Sequence, residues 1–301
     1  MERFRLTFTR PATATPHPGR IAGRLRSAAA GLALALAVTT GATAVAAPAL
    51  ADQIGQAPTA ATITGNGSFA VTSAAVTNQT GFGGGTVYYP TQSGTYPVVA
   101  IMPGFLELWD AIKWQGPRLA SWGYVVVGIN PNSIFDLPDS RGSQLLAALD
   151  WAVGSAPTAV RARADGAHRG VVGYSMGGGG TLQALAHDTS GKVLAGVAFS
   201  PWETNQNWST VRQPEFIVGA QNDTVAPPAQ HAIPFYNSLA GPKTYVELAG
   251  ADHMWPTSDN PTGSRAMVSW LKRWLDGDSR FTPFTCGFTG SAISAFRSTA
   301  C

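Results

Sequence analysis

A single α/β domain, built on a mostly parallel sheet with helices on both faces, is the fold class this sequence predicts. Three observations point to it. Apolar strand-like runs alternate with helical stretches from residue 96 to about residue 275, an order that requires parallel strands joined by crossover helices. The 301 residues are 45% hydrophobic, enough for one large core, since single α/β domains commonly reach ~250 residues. Thirty-four glycines and 21 prolines accompany only 12% charged residues, which describes many tight turns and a sparsely charged surface. Disordered and nucleic-acid-binding classes are thereby excluded.

Residues 1–51 stand apart. Arg3, Arg5, Arg10, Arg20, Arg24 and Arg26 precede an Ala/Leu/Val run over 28–47, and Ala49-Leu50-Ala51 closes the segment. This order reads as a secretory signal peptide cleaved after Ala51. The run is rich in small residues and broken by Thr39, Thr40 and Gly41, so a stable membrane anchor is not expected. No Arg-Arg pair precedes it, which favours the general export route. Its removal takes six of the 20 basic and one of the 17 acidic side chains, leaving 14 against 16. The sequence pI of 9.0 therefore says nothing about partners of the mature chain.

After the leader, residues 52–65 are Ala/Thr-rich and read as a loose N-terminal segment, and the catalytic domain is expected over 66–301. Strands are predicted at 69–76, 85–89 and 96–102, separated by Gly-rich turns. A helical stretch at 112–122 leads to a strand at 124–129, a helix at 140–153, a strand at 170–173 and a helix after Ser175. Further strands follow at 194–199, 215–218 and 244–248, with a helix opening near Pro227 and a last helix at 262–275. In such sheets ligands bind beyond the carboxyl ends of the strands. The two cysteines, Cys286 and Cys301, are expected to pair in an oxidising compartment. The closed loop of 15 residues implies ~3 kcal/mol of stabilisation in the chain-entropy model.

The chemistry concentrates at Gly173-Tyr174-Ser175-Met176-Gly177, between the apolar strand 170–172 and the helical run 181–186. Gly-x-Ser-x-Gly in that setting is a nucleophile elbow, where the sharp turn leaves no room for side chains beside the serine. The helix N-terminus then faces a developing oxyanion. A serine hydroxyl needs a base, and an elbow of this kind expects an acid and then a histidine later in the chain. Asp223 and His253 each follow a predicted strand and fit that order. Asp252 is a rival acid, but as the neighbour of His253 its side chain should point away from the imidazole. His17 lies in the leader, and His168, His187 and His231 are weaker claimants; none forms a metal-ligand spacing. The backbone N–H groups of Met176 and of Phe105, in the loop after the third strand, are the expected oxyanion donors. Phe105, Met176 and Trp202, all at strand ends, should line an apolar cleft.

With these residues in place the chain resembles the bacterial cutinases and polyester hydrolases, the α/β-hydrolase family that includes enzymes degrading poly(ethylene terephthalate). The likeness runs from Phe69 to Cys301. It is carried by Gly81-Phe82-Gly83-Gly84-Gly85-Thr86-Val87-Tyr88-Tyr89-Pro90, Ile112-Lys113-Trp114 and Gly116-Pro117-Arg118-Leu119-Ala120-Ser121. Ser175-Met176-Gly177-Gly178-Gly179-Gly180, Pro201-Trp202, Asp223-Thr224-Val225-Ala226-Pro227, Trp270-Leu271-Lys272-Arg273 and the terminal cysteines continue it. The resemblance implies Ser175, Asp223 and His253 as triad, Phe105 and Met176 as oxyanion donors, Trp202 as a mobile aromatic wall and Val225 as an apolar contact across the cleft. Leu106, Glu107, Leu108 and Trp109 depart from the small and polar residues usual in the family, which implies a narrower or more apolar rim. Gln221 and Ala249 stand where some relatives hold calcium, and Ala220 and Trp255 where some carry an extra disulfide.

The sequence thus predicts a secreted, monomeric serine ester hydrolase working through an acyl-enzyme, without cofactor, metal or nucleic-acid partner, on an ester or polyester substrate. A short-chain esterase, a triacylglycerol lipase or a dienelactone-hydrolase-like enzyme is the alternative among enzymes. From another class comes a catalytically silent α/β-hydrolase that binds a ligand or polymer surface through Trp202 and Phe105.

Overall fold

The computed structural model describes residues 53–301, so the expected leader lies outside the described residues. One nine-stranded sheet organises the chain, in the order β1-β2-β4-β3-β5-β6-β7-β8-β9. Strands β3 (Tyr96–Met102), β4 (Val125–Ile129), β5 (Ala164–Tyr174), β6 (Val193–Phe199), β7 (Glu215–Ala220) and β8 (Lys243–Leu248) pair in parallel. Antiparallel strands border them: β1 (Val71–Val76) and β2 (Gly85–Pro90) on one side, β9 (Ile293–Ser298) on the other.

The central strands are apolar throughout because both faces are covered. In β3, Val98, Ala100 and Met102 face one core while Val99 and Ile101 face the other, and all five are completely buried. The first core is closed by α2 (Pro138–Gly154), α4 (Met176–His187) and α5 (Ala232–Ser238); the second by α1 (Gln115–Ser121) and α6 (Pro261–Trp274). Pro97 sits in a central strand, where its missing N–H is costly. The register shifts between Pro97 and Val98, so the irregularity accommodates it. Helix α6 starts with Pro261, and the Asn260 side chain caps it by accepting the Gly263 N–H at 3.0 Å, an arrangement suited to a helix start.

Several expectations are corrected. The stretch 112–122 is not one helix: a 3₁₀ turn, Trp109–Ile112, precedes the shorter α1. The helix expected near Pro227 begins only at Ala232, since Pro227 is itself followed by Pro228 and a residue before proline is disfavoured in the helical region. A short helix, α3 (Thr158–Arg161), and strand β9 were not foreseen. Residues 53–65 are docked, not loose. Ile63 is buried, the Trp122 indole donates to Gly65 O at 2.9 Å, Lys272 donates to Ile54 O at 3.1 Å and Arg118 reaches Thr64 O and Asn66. Charged donors from α1 and α6 satisfy carbonyls that a frayed segment would leave to water.

The cysteine pairing holds: Cys286 and Cys301 are disulfide-bonded. The bond encloses β9, which adds to the edge of β8, and Arg273 fixes Ala300 O at 2.7 Å. Reduction of this bond should lower the melting midpoint by about 6–12 °C, given ~3 kcal/mol and ~2–4 °C per kcal/mol for a domain of this size. Calorimetry with and without reductant checks it; an unchanged midpoint contradicts it.

Candidate active site

Five loops at the carboxyl ends of β3, β5, β6, β7 and β8 converge on one edge of the sheet. At its centre β5 turns abruptly into α4, and Ser175 occupies the turn with φ 55° and ψ −120°. Such a backbone is strained for a residue with a side chain and persists only where the surroundings impose it. They do so by backbone packing. A methyl on Gly173 would lie 2.0 Å from Gly177 O, and one on Gly177 2.2 Å from Met102 O; only glycine fits either place. The Ser175 N–H is tied to Phe199 O at 2.9 Å, and Ser175 O receives Gly179 N and Trp202 N at 3.0 and 2.9 Å.

The structure brings the three expected side chains together. His253 Nε2 is 2.9 Å from Ser175 Oγ, and His253 Nδ1 is 2.7 Å from Asp223 Oδ2. All three are nearly withdrawn from solvent, at 6, 7 and 4% exposure for Ser175, His253 and Asp223. Asp223 Oδ1 accepts the N–H groups of Ala226 at 2.7 Å and Val225 at 2.9 Å. Burial alone would push this carboxyl up, but the hydrogen bonds from His253, Ala226 and Val225 outweigh it and hold it below its ordinary value. An ionised aspartate on Nδ1 leaves Nε2 free to accept the serine proton. Asp252, the rival acid, bonds the Met254 N–H instead.

Among the described residues neither the Phe105 N–H nor the Met176 N–H, first in α4, donates to a protein acceptor. Two unengaged amides flanking a serine can hold an oxyanion. Trp202 lies against His231, with ring centroids 5.8 Å apart, and His231 in turn against Phe235 at 5.9 Å. His231 Nδ1 is 3.0 Å from Glu203 O, and burial makes this imidazole harder to protonate than usual. His168 pairs with Asp165 at 2.6 Å, and His187 approaches Asp139 at 3.7 Å. Among the described residues no group of three metal-ligating side chains is found.

Sequence reasoning missed four contributors. Tyr174 packs its ring on His253 at 5.2 Å, His231 backs Trp202, and Glu107 and Arg141 hold the loop that carries Phe105. The Gly-x-Ser-x-Gly pattern marks Tyr174, but nothing in a single sequence distinguishes a supporting histidine or arginine from a surface one. The rim is apolar, as the run 106–109 implied. Phe105, Leu106, Leu108, Phe135, Leu137, Val225 and Met254 are the large hydrophobic side chains exposed among the described residues, and all lie in loops at this edge. Trp109, however, is buried and takes no part in it. Trp255, also buried, donates to Ser200 Oγ at 3.0 Å.

A parallel sheet with a strand-turn-helix serine and an aspartate-paired histidine at its carboxyl edge defines an α/β-hydrolase. The family model for PETase, described as PET hydrolase-like, matches residues 46–301, and the chain belongs to that family of carboxylic ester hydrolases. It is 47% identical over 208 residues to cutinase 2 of Thermobifida cellulosilytica, covering 68% of this chain and 79% of the relative. The same identity and length relate it to cutinase cut1 of Thermobifida fusca, where the match spans 65% of the relative. A bis(hydroxyethyl) terephthalate hydrolase of Streptomyces coelicolor is 43% identical over 289 residues, covering 93% of this chain and 92% of that one.

Gly177→Ala should cost about 2–4 kcal/mol in urea unfolding, because its methyl meets backbone that cannot yield; a loss below ~0.5 kcal/mol contradicts the packing. Asp223, with its carboxyl held low, contributes stability that is present above its unfolded value and lost as pH falls through its folded one. The stability gap between the wild type and Asp223→Ala should therefore narrow as pH drops below about 4; a gap that stays constant down to pH 2.5 contradicts it.

Proposed function

We propose that this protein is an exported serine esterase of cutinase type, cleaved after Ala51 and active as a monomer, with Ser175 as nucleophile, His253 as base and Asp223 as the residue that orients the imidazole. The observation that carries the reading is the unbroken hydrogen-bonded chain from carboxylate through imidazole to hydroxyl. His253 Nε2 takes the Ser175 proton as Oγ attacks the ester carbonyl carbon, and the oxyanion accepts from the Phe105 and Met176 N–H groups. Collapse breaks the ester bond, and the imidazolium returns its proton to the departing alcohol. A water then gives its proton to His253 and attacks the acyl-enzyme, and Ser175 leaves reprotonated.

Export is supported by the disulfide, which persists in an oxidising compartment. The completeness of the site within one chain supports monomeric action. An uncharged, apolar ester is the substrate class the rim favours, because its seven apolar side chains would be desolvated by such a partner. Trp202, Phe105, Met176 and Val225 are assigned to its binding. The relative named for bis(hydroxyethyl) terephthalate supports aromatic diesters and polyesters within that class.

Turnover of p-nitrophenyl butyrate, bis(hydroxyethyl) terephthalate and poly(ethylene terephthalate) film by wild type and Ser175→Ala tests the proposal. The variant should lose about 10⁶-fold in kcat on the soluble esters and release no product from the film. Retention of a tenth of wild-type turnover by a folded Ser175→Ala variant overturns the mechanism. A wild type that hydrolyses both soluble esters but leaves the film intact restricts the substrate class to small esters.

A further inference from the structure

The loop that carries Phe105 is held by two opposite charges on one peptide group. The Pro103 carbonyl accepts from Arg141 Nη1 at 3.1 Å, and the N–H of the same Pro103–Gly104 peptide donates to Glu107 Oε2 at 2.9 Å. The next peptide, Gly104–Phe105, has its carbonyl bonded to the Glu107 N–H at 3.3 Å. Beyond it, Leu106 takes a positive φ of 64° and donates its N–H to Ile134 O at 2.9 Å. Arg141 also donates to that oxygen, at 3.1 Å, and to Asp136 O at 2.8 Å. Of the N–H groups of residues 104–107, that of Phe105 is the one left without a protein acceptor among the described residues, and the N–H groups on both sides of it are fixed.

Glu107 supplies two of those fixings, with its carboxylate and with its own N–H. The carboxylate lies close to the nucleophile: a methyl on Gly104 would sit 2.9 Å from Glu107 Oε2 and 3.1 Å from Ser175 Cβ. We infer that Glu107 is a positioning residue for acyl transfer, which aims the Phe105 N–H at the oxyanion by clamping the Pro103–Gly104 peptide against Arg141; this rests on the reading of Phe105 as an oxyanion donor. Three charged or titratable groups face the carboxylate: Arg141 on α2, Tyr174 at the end of β5 and His253 after β8. Burial raises the Glu107 carboxyl above its ordinary value, opposed by the Gly104 hydrogen bond and by the charges of His253 and Arg141. The clamp survives protonation, because a neutral carboxyl still offers a carbonyl oxygen to the Gly104 N–H. Geometry, not net charge, is thus what Glu107 contributes.

An oxyanion donor is effective only when aimed at the place the oxyanion will occupy, and loss of one typically costs 10²–10³-fold in kcat. Glu107→Ala frees the peptide without removing the donor, so kcat on p-nitrophenyl butyrate should fall by about ten-fold or more, with KM within about two-fold. Affinity for a trifluoromethyl ketone, whose adduct carries the oxyanion, should weaken by a similar factor. Glu107→Gln keeps an acceptor oxygen at the same reach and should recover kcat to within about three-fold of wild type. A Glu107→Ala variant within three-fold of wild-type kcat overturns the inference. So does a Glu107→Gln variant as slow as Glu107→Ala, or a loss carried by KM alone. Organophosphonate labelling separates this failure from that of the underlying reading: labelled wild type and variant with equal turnover removes only the clamp, whereas an unlabelled wild type removes the mechanism.

Discussion

One backbone turn sets the terms for the rest of the structure. Strand β5 must hand over to helix α4 within a single residue, and the peptide groups of Met102, Pro103 and Gly177 pack so closely around that turn that Gly173 and Gly177 admit no side chain. The left-handed backbone at Ser175 is a consequence of this contact. Its cost, of order 1–3 kcal/mol, is met by a sheet whose central strands are buried on both faces. In return the hydroxyl stands clear of both strand and helix, and the first amide of α4 is left without an acceptor.

Everything placed around the serine depends on strands that end at the same edge. Parallel pairing from β4 to β8 brings the loops after β3, β5, β6, β7 and β8 side by side, so residues far apart in sequence meet: 78 positions separate Ser175 from His253. Rigidity then comes from the flanks. Asp223 is held by two amides of its own loop and the 103–107 loop by Arg141 and Glu107, while the Trp202 ring rests against His231. Exposed apolar side chains such as Leu106 and Phe135 surround a site whose polar groups are held by hydrogen bonds. Polar groups fixed before substrate arrives need not reorganise during reaction.

Much of this was legible from the sequence because local rules and global fold agree there. The apolar runs 96–102 and 194–199 are unbroken by charge and bounded by turns, so β3 and β6 were read nearly to the residue. The elbow was legible because sterics, not preference, dictate its glycines. Helix α5 was misplaced because Pro227 looks like a helix start until Pro228 is weighed. Strand β9 escaped because its small and polar residues carry little alternation, and the disulfide and the edge of β8 supply the order instead. Residues 53–65 looked loose by composition, yet the donors that dock them, Arg118, Trp122 and Lys272, sit far along the chain. The same holds for Glu107, Arg141 and His231, whose roles arise only from neighbours the fold creates.

The central claim is that one serine is made nucleophilic by a histidine and an aspartate that the fold brings to it. Its most direct test is peptide-resolved mass spectrometry after treatment with diethyl p-nitrophenyl phosphate, on wild type and on a folded His253→Ala variant. The account predicts a single diethylphosphoryl adduct, on the peptide containing Ser175, formed rapidly in the wild type and not in the variant. An adduct on another residue, or equal labelling without the imidazole, contradicts it.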